Sequence, residues 1–330
     1  MDIFQPIEFH RTRDFSKKMN VTFEFVRQNW KGLGKSILFI AGPPVLVASL
    51  IVGSFFGDLI SITQTAANGA GDSEGVQTYF MSVSFWLQII LAMIFFIISS
   101  VMTIATINNY IVLYGEKQSN QIEVNEVWER VRDTFWMYFS TTLFFAIIII
   151  GLYLLMILPV VLLAAISPAL IFLGILGLMC ALLYIVISIS LIFIVRSYEH
   201  RNFFDAFRRS FSLVHGKWWS TFGLMMVLYL IMTTISYIPV IPLYATIIVT
   251  ALHNTSTDTA PDPSSLSSML TIVFFTLYYM AQMILSALPN IGIAFQYFNL
   301  VEMKEAKGLL DKIDTFGNPT GPPSAPDERY

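Results

Sequence analysis

Charged residues and cysteine are both scarce in this chain of 330 residues. Only 12% of the residues are charged, whereas a soluble domain carries about 25%. Cys180 is the single cysteine, so a disulfide within the chain is excluded. The net charge of −3 is nearly neutral, so no overall positive field favours nucleic acid as a partner. The composition therefore predicts neither a soluble domain nor a nucleic-acid-binding protein.

Catalytic and metal-binding patterns are also missing. No two histidines fall at ligand spacing on one helix, and no Gly-x-Ser-x-Gly or His-Glu-x-x-His pattern occurs. The four histidines are His10, His200, His215 and His253. We therefore predict no enzyme, no metal and no other cofactor. Basic residues are spread through the first 35 residues, and no small-residue cleavage site follows the first apolar run, so we expect no cleaved signal peptide.

What the sequence has in abundance is long charge-free apolar runs. Hydrophobic residues make up 55% of the chain, and the mean hydropathy is +0.68. Each run exceeds the roughly 20 residues that cross a bilayer as a helix. The predicted spans lie near 36–57, 84–114, 136–158, 168–195, 218–250 and 267–300.

The basic residues predict the orientation of these spans. All 19 Lys and Arg residues lie in the segments 1–35, 115–135, 196–217 and 302–330. The alternate loops 58–83, 159–167 and 251–266 hold none. The positive-inside rule then places both termini in the cytoplasm. The acidic loop 58–83 is rich in Gly and Ser and is interpreted as a solvated linker.

An amphipathic run precedes each odd-numbered span. Apolar residues recur there at three- and four-residue steps, with basic residues on the other face. They are Phe15, Met19, Phe23, Val26, Trp30 and Leu33 in the first run, Val124, Val127, Val131, Phe135 and Tyr138 in the second, and Phe204, Phe207, Phe211, Val214 and Trp218 in the third. Asp14, Asn125 and Asn202 stand at cap positions, and Gly32, Gly34 and Gly216 allow a bend into the span.

We interpret these runs as helices lying on the cytoplasmic leaflet, where basic side chains meet lipid head groups. The alternative is that they pack on cytosolic protein. The predicted head-group contacts are Arg27, Lys31, Arg132, Arg208, Arg209 and Lys217.

The predicted fold is an all-α polytopic membrane protein. Its six transmembrane helices form three hairpins, each preceded by a cytoplasmic interfacial amphipathic helix. A cytoplasmic segment (1–13) precedes the membrane domain (14–301), which has repeats at about 14–117, 121–201 and 202–301. A short cytoplasmic helix (302–316) and a disordered tail (317–330), rich in Pro and Gly, follow.

Two polar stripes run along the second and sixth predicted spans. Polar groups in hydrocarbon require partners, so both stripes are expected to face the interior. They either hold the bundle together by hydrogen bonds, which we favour, or line a cavity for a lipid or solute. Their members are Ser99, Thr103, Thr106, Asn109, Gln282, Ser286 and Asn290.

Other features of the spans concern helix packing and helix breaks. Pro43, Pro44, Pro239 and Pro242 are expected to break regular helix, and Pro289 to kink the sixth span. The small residues Ser49, Gly53 and Gly57 are expected to serve helix packing.

The third basic loop resembles a group of bacterial six-helix membrane families. The matching residues are Ala206-Phe207-Arg208-Arg209-Ser210-Phe211, followed by Gly216-Lys217-Trp218-Trp219 and a span. These families include the membrane domain fused to some glycerophosphodiester phosphodiesterases. The resemblance implies the six-helix architecture over about 14–300, a bacterial inner membrane, and no catalytic residues in the membrane part.

Two functions remain open at this point. The first is a non-enzymatic inner-membrane scaffold, assembly factor or accessory subunit, whose partners are membrane lipids and other membrane subunits. The second is a transporter or flippase for a lipid or another apolar solute.

Overall fold

The structure is a computed structural model that describes residues 5–65, 73–167, 170–242, 244–245, 248 and 266–317. Within these ranges every regular element is a helix. The helices are α1 (Phe15–Ile40), α2 (Gly42–Thr65), α3 (Ser73–Met81), α4 (Val83–Lys117), α5 (Val124–Ile166), α6 (Leu170–Ser188), α7 (Ile192–Glu199), α8 (Phe203–Val214), α9 (Trp218–Ser236), α10 (Leu266–Leu285), α11 (Ala287–Glu305) and α12 (Lys307–Gly317), with a 3-10 turn at Ile238–Val240.

Six helical segments are long and apolar enough to cross a membrane, as predicted. They are Gly42–Leu59, Val83–Lys117, Val124–Ile166, Leu170–Glu199, Trp218–Val240 and Met269–Glu305. We number them as spans one to six. The basic segments meet at one end of the bundle, which we call the basic end, and the opposite end is the far end.

The helix that contains the first predicted amphipathic run, α1, is longer than expected. Asp14 caps it as predicted, because its carboxylate accepts the Lys17 N–H at 2.8 Å. The predicted bend at Gly32 and Gly34 is wrong, since α1 continues to Ile40 and the chain turns at Ala41. Gly32 instead serves close packing, because a Cβ there would lie 2.6 Å from the Tyr110 hydroxyl.

Regular helix breaks just before Pro43 and Pro44, as expected, because α1 ends at Ile40 and α2 begins at Gly42. Both prolines lie in the first turn of α2, where their missing N–H groups would have no helical partner. The start of the third predicted span needs correction. The second amphipathic run and the third span form one helix of 43 residues. Its start is closed by a capping box of Glu123 and Glu126, and Asn125 lies inside the helix.

Three of the spans are interrupted. The sixth breaks at Ser286, just before Pro289, and the fifth passes into the 3-10 turn that contains Pro239. The fourth breaks at residues 189–191, which hold no proline, so the sequence did not indicate it. At this break the Ser188 carbonyl accepts a hydrogen bond from the Ser210 hydroxyl of α8 at 2.8 Å. This bond replaces the helical N–H partner that the carbonyl lacks because the helix is broken.

Small residues bring α2 and α10 into close contact. Ser49, Gly53 and Gly57 are all buried, as expected for a packing stripe. A Cβ on Gly53 would lie 2.8 Å from the Ile272 Cα. Backbone-to-backbone packing of this kind is typical of membrane helices, where dispersion replaces the hydrophobic effect.

The core lies at the basic end, where α4, α7 and α11 pack on one another. Tyr110, Tyr297 and Phe298 are fully buried there. The hairpin of α5 and α6 differs, because no residue from 142 to 166 is buried. Towards the far end this hairpin therefore stands apart from the other spans and presents apolar side chains on most sides.

The segments outside the spans agree only partly with prediction. The 58–83 loop contains α3, and the Tyr79 hydroxyl donates to the Asp58 carboxylate at 3.3 Å, so it is not solely a linker. The expected tail helix is present as α12. Of the tail predicted to be disordered, residues 318–330 lie outside the described residues.

Candidate functional site

The polar stripe on α4 is buried and bonded mainly to its own helix. Thr103 and Thr106 donate to the carbonyls of residues four positions earlier, Ser99 and Met102, at 2.8 and 2.7 Å. Asn109 crosses to α5 and donates to the Thr134 hydroxyl at 2.8 Å. Thr103, Thr106 and Asn109 thus each donate to a partner inside the protein, which satisfies the requirement for polar groups in hydrocarbon.

The stripe on the sixth span follows the same rule. The Gln282 amide donates to the Tyr278 hydroxyl at 3.1 Å and accepts from the Ser236 hydroxyl at 3.4 Å. Asn290 donates to the Ser286 carbonyl at 2.8 Å, beside the break. Among the hydrogen bonds of the described residues, none joins this stripe to the α4 stripe. The hydrogen bonds therefore do not link the two stripes into one network.

A buried cation lies at the junction of α1, α9 and α11. Lys18 is only 2% exposed, and its ammonium donates to the Ser220 hydroxyl and to the Gln296 side-chain oxygen, both at 2.8 Å. Gln296 in turn donates to the Thr221 hydroxyl at 2.9 Å. Burial lowers the pKa of Lys18. This network fastens three helices at the basic end.

Sequence reasoning missed this cluster because Lys18 counted only as one of the basic N-terminal residues. A signal was nevertheless present in α1. A second stripe at helical spacing contains polar residues, and this stripe is the one that the protein buries. It consists of Lys18, Thr22, Phe25, Asn29, Leu33 and Ser36.

The aromatic stripe of α1 points away from the protein. Phe15, Phe23 and Trp30 are 45%, 42% and 62% exposed. A soluble protein would bury aromatic rings and expose lysine and asparagine. Helix α1 exposes three aromatic rings while it buries Lys18 and Asn29, which matches a helix whose outer face meets an apolar medium.

An ion-pair network joins α7, α8 and α11. The Glu199 carboxylate accepts the Tyr297 hydroxyl at 2.8 Å and the Arg209 Nε at 3.1 Å. Arg209 also pairs with Glu305, and this hydrogen bond raises the pKa of the guanidinium. Arg209 therefore binds two carboxylates within the protein, whereas the sequence grouped it with the predicted head-group contacts.

The other predicted head-group residues lie at the surface. The side chains of Arg27 and Arg132 are 75% and 68% exposed, and Arg208 and Lys217 are exposed as well. The Lys31 ammonium lies 5.6 Å from the centre of the Trp30 ring. An exposed cation beside an exposed indole is a pairing common at membrane interfaces.

Across the described part of the chain, no group of three His, Cys, Asp or Glu residues could hold a metal ion. The candidate functional features are therefore the exposed basic and aromatic surface at the basic end and the apolar surface of the spans.

These six apolar helices make the chain a multi-pass membrane protein. No family model matches the sequence, and no curated protein and no solved structure matches it either.

Proposed function

We propose that this chain is a non-enzymatic protein of a bacterial inner membrane that acts as a scaffold, assembly factor or accessory subunit. The membrane domain consists of three hairpins, and the basic end faces the cytoplasm. An amphipathic segment on the cytoplasmic leaflet precedes each hairpin, namely α1, the start of α5, and α8. The bacterial assignment extends the resemblance of the 206–219 segment to the six-helix families.

The proposed contact with the membrane surface is supported by which residues of α1 are buried and which are exposed. Its buried face contains a lysine and its exposed face contains Phe15, Phe23 and Trp30. Arg27 and Lys31 flank the aromatic face and can meet anionic head groups.

The subunit role is supported by the α5–α6 hairpin, which has few contacts with the rest of the bundle at the far end. Gly151 and Gly177 lie on this hairpin, and a Cβ on either would meet nothing within 4 Å. Small residues at open positions allow another helix to approach closely.

The test is native mass spectrometry after gentle extraction from the source membrane. We expect a stoichiometric partner protein on the wild-type chain. Gly151→Leu and Gly177→Leu should reduce its occupancy several-fold while the unfolding midpoint of the chain stays unchanged, because neither side chain meets an internal neighbour. A bare wild-type chain would contradict the subunit role.

A second candidate function is transport of a lipid or another apolar solute. The three interrupted spans favour it, because broken helices build the central sites of many transporters. Vesicles containing the purified protein should then move labelled lipid, and Asn290→Leu should slow this movement by removing the donor at the break of span six. Equal rates with wild type, Asn290→Leu and empty vesicles would contradict transport.

A further inference from the structure

Residues 5–13 run across the basic end before α1 begins, and we call them the N-terminal strap. The Ile7 N–H donates to the Tyr114 hydroxyl of α4 at 3.0 Å. The Phe9 ring is 7% exposed and stacks 4.6 Å from the ring of Phe298 on α11 and 5.9 Å from that of Tyr114. The strap is thus anchored by an aromatic side chain between the ends of spans two and six.

The strap also reaches span four. The His10 Nε2 lies 3.3 Å from the Tyr198 hydroxyl of α7, and the two groups share one hydrogen bond. The tautomer of His10 decides which of them donates. Further along, the Arg13 N–H donates to the Asn299 side-chain oxygen of α11 at 2.6 Å. The Arg13 guanidinium lies 5.6 Å from the centre of the Phe295 ring. One segment of nine residues therefore contacts the ends of all three even-numbered spans.

Two glycines leave room for this segment. A Cβ on Gly115, at the end of α4, would lie 2.8 Å from the Phe9 ring. A Cβ on Gly308, in α12, would lie 2.5 Å from the His10 carbonyl oxygen. Helix α12 also holds the strap by an ion pair between Lys312 and Glu8 at 3.1 Å. Any larger residue at either glycine requires the strap to move.

The strap is easier to detach than the helices that it joins. It has no regular secondary structure, and a groove of about 340 Å³ lies along it, bordered by Glu8, Gln118 and Lys312. Its attachment consists of the Phe9 ring, one ion pair, one cation–ring contact and a few hydrogen bonds, whereas the helices keep their own backbone hydrogen bonds when it leaves. Segments of this kind open at low free energy compared with global unfolding.

We propose that the N-terminal strap is a clasp that holds the basic ends of spans two, four and six together, and that its release lets these ends separate and admits water to the core. This device is independent of the choice between scaffold and transporter, since it concerns how the bundle opens at the basic end.

The test measures the access of a charged maleimide to a buried cysteine in the purified full-length chain. The background is Cys180→Ser with Ala294→Cys, a position on α11 that is 1% exposed. Gly115→Leu should expel Phe9 and raise the labelling rate at least tenfold. The matched control is Gly34→Leu, a helical glycine whose Cβ would meet nothing within 4 Å, and it should leave the rate unchanged.

Phe9→Ala provides a second release variant, because it removes the anchoring ring without altering any helix. It should also raise the labelling rate, while circular dichroism shows an unchanged helix content. Slow labelling in Phe9→Ala, equal to that of the control, would overturn the clasp even if Gly115→Leu aggregates. A lower unfolding midpoint with unchanged labelling would show that the strap only adds stability.

Discussion

At the scale of single residues, glycines mark the places where helices approach most closely. Gly53 faces the Ile272 backbone, and Gly292 faces the Leu228 side chain, whose Cδ1 lies 2.1 Å from a Cβ built on that glycine. The two cases differ physically, because a flexible leucine can move aside and a helix backbone cannot. Gly53 is therefore the less tolerant position.

Gly53→Val should destabilise the protein by about 1–3 kcal/mol, since the new side chain forces α2 and α10 apart. Gly151→Val is the matched control, because its Cβ would meet nothing within 4 Å. Thermal unfolding in detergent measures both. Equal midpoints for the two variants would contradict the close packing of α2 on α10.

Residue type alone did not indicate which polar residues matter. Lys18, Arg209, Arg27 and Arg132 all belong to the basic segments of the sequence, with nothing in residue type to separate them. The fold buries Lys18 against Gln296, pairs the partly buried Arg209 with Glu199, and leaves Arg27 and Arg132 exposed. Such a difference depends on which neighbouring helix supplies an acceptor, and this is a tertiary property.

At the scale of elements, α1 shows how a helical pattern can be read in two ways. Its sequence has an aromatic stripe and a polar stripe, and periodicity detects both. In water the aromatic stripe would be buried, but the structure buries the polar one. The medium outside the protein decides which assignment is correct.

Site-directed spin labelling tests this assignment in lipid nanodiscs, in the Cys180→Ser background. A nitroxide at Phe23→Cys should be more accessible to oxygen than to a water-soluble nickel complex, because it contacts acyl chains. A nitroxide at Lys17→Cys, an exposed position about 120° around the helix from Phe23, should show the opposite preference. Water accessibility at both positions would contradict contact of α1 with the membrane.

Helix starts were predicted with mixed success. Asp14 caps α1 as expected, because a side-chain cap depends on one local residue. The break in span four and the continuous α5 were not foreseen. The break is supported by the Ser210 hydroxyl of a different helix, so no local pattern around residues 189–191 marks it.

At the scale of the whole molecule, the distribution of charge predicts how the bundle sits in the membrane. All 19 Lys and Arg residues lie in segments that the structure brings to the basic end or in the tail beyond it. By the positive-inside rule, we expect this end to face the cytoplasm.

A membrane-impermeant maleimide tests this orientation in spheroplasts, again in the Cys180→Ser background. Thr78→Cys in α3, at the far end, should be labelled in intact spheroplasts. Gln121→Cys, exposed at the basic end, should be labelled only after lysis. The reverse pattern would show the opposite orientation, and labelling of both positions in intact spheroplasts would show that they lie on the same side.

The sequence by itself determined the six apolar spans, the small-residue contact of α2 and the grouping of basic residues into alternate segments. Each of these depends on composition or on spacing along one helix, which lipid and backbone hydrogen bonding constrain directly. Only the tertiary structure decided that Lys18 is buried, that Arg209 lies between two carboxylates, and that the N-terminal strap crosses three span ends. These depend on side chains from distant parts of the chain meeting in space, and no periodicity within one segment encodes such meetings.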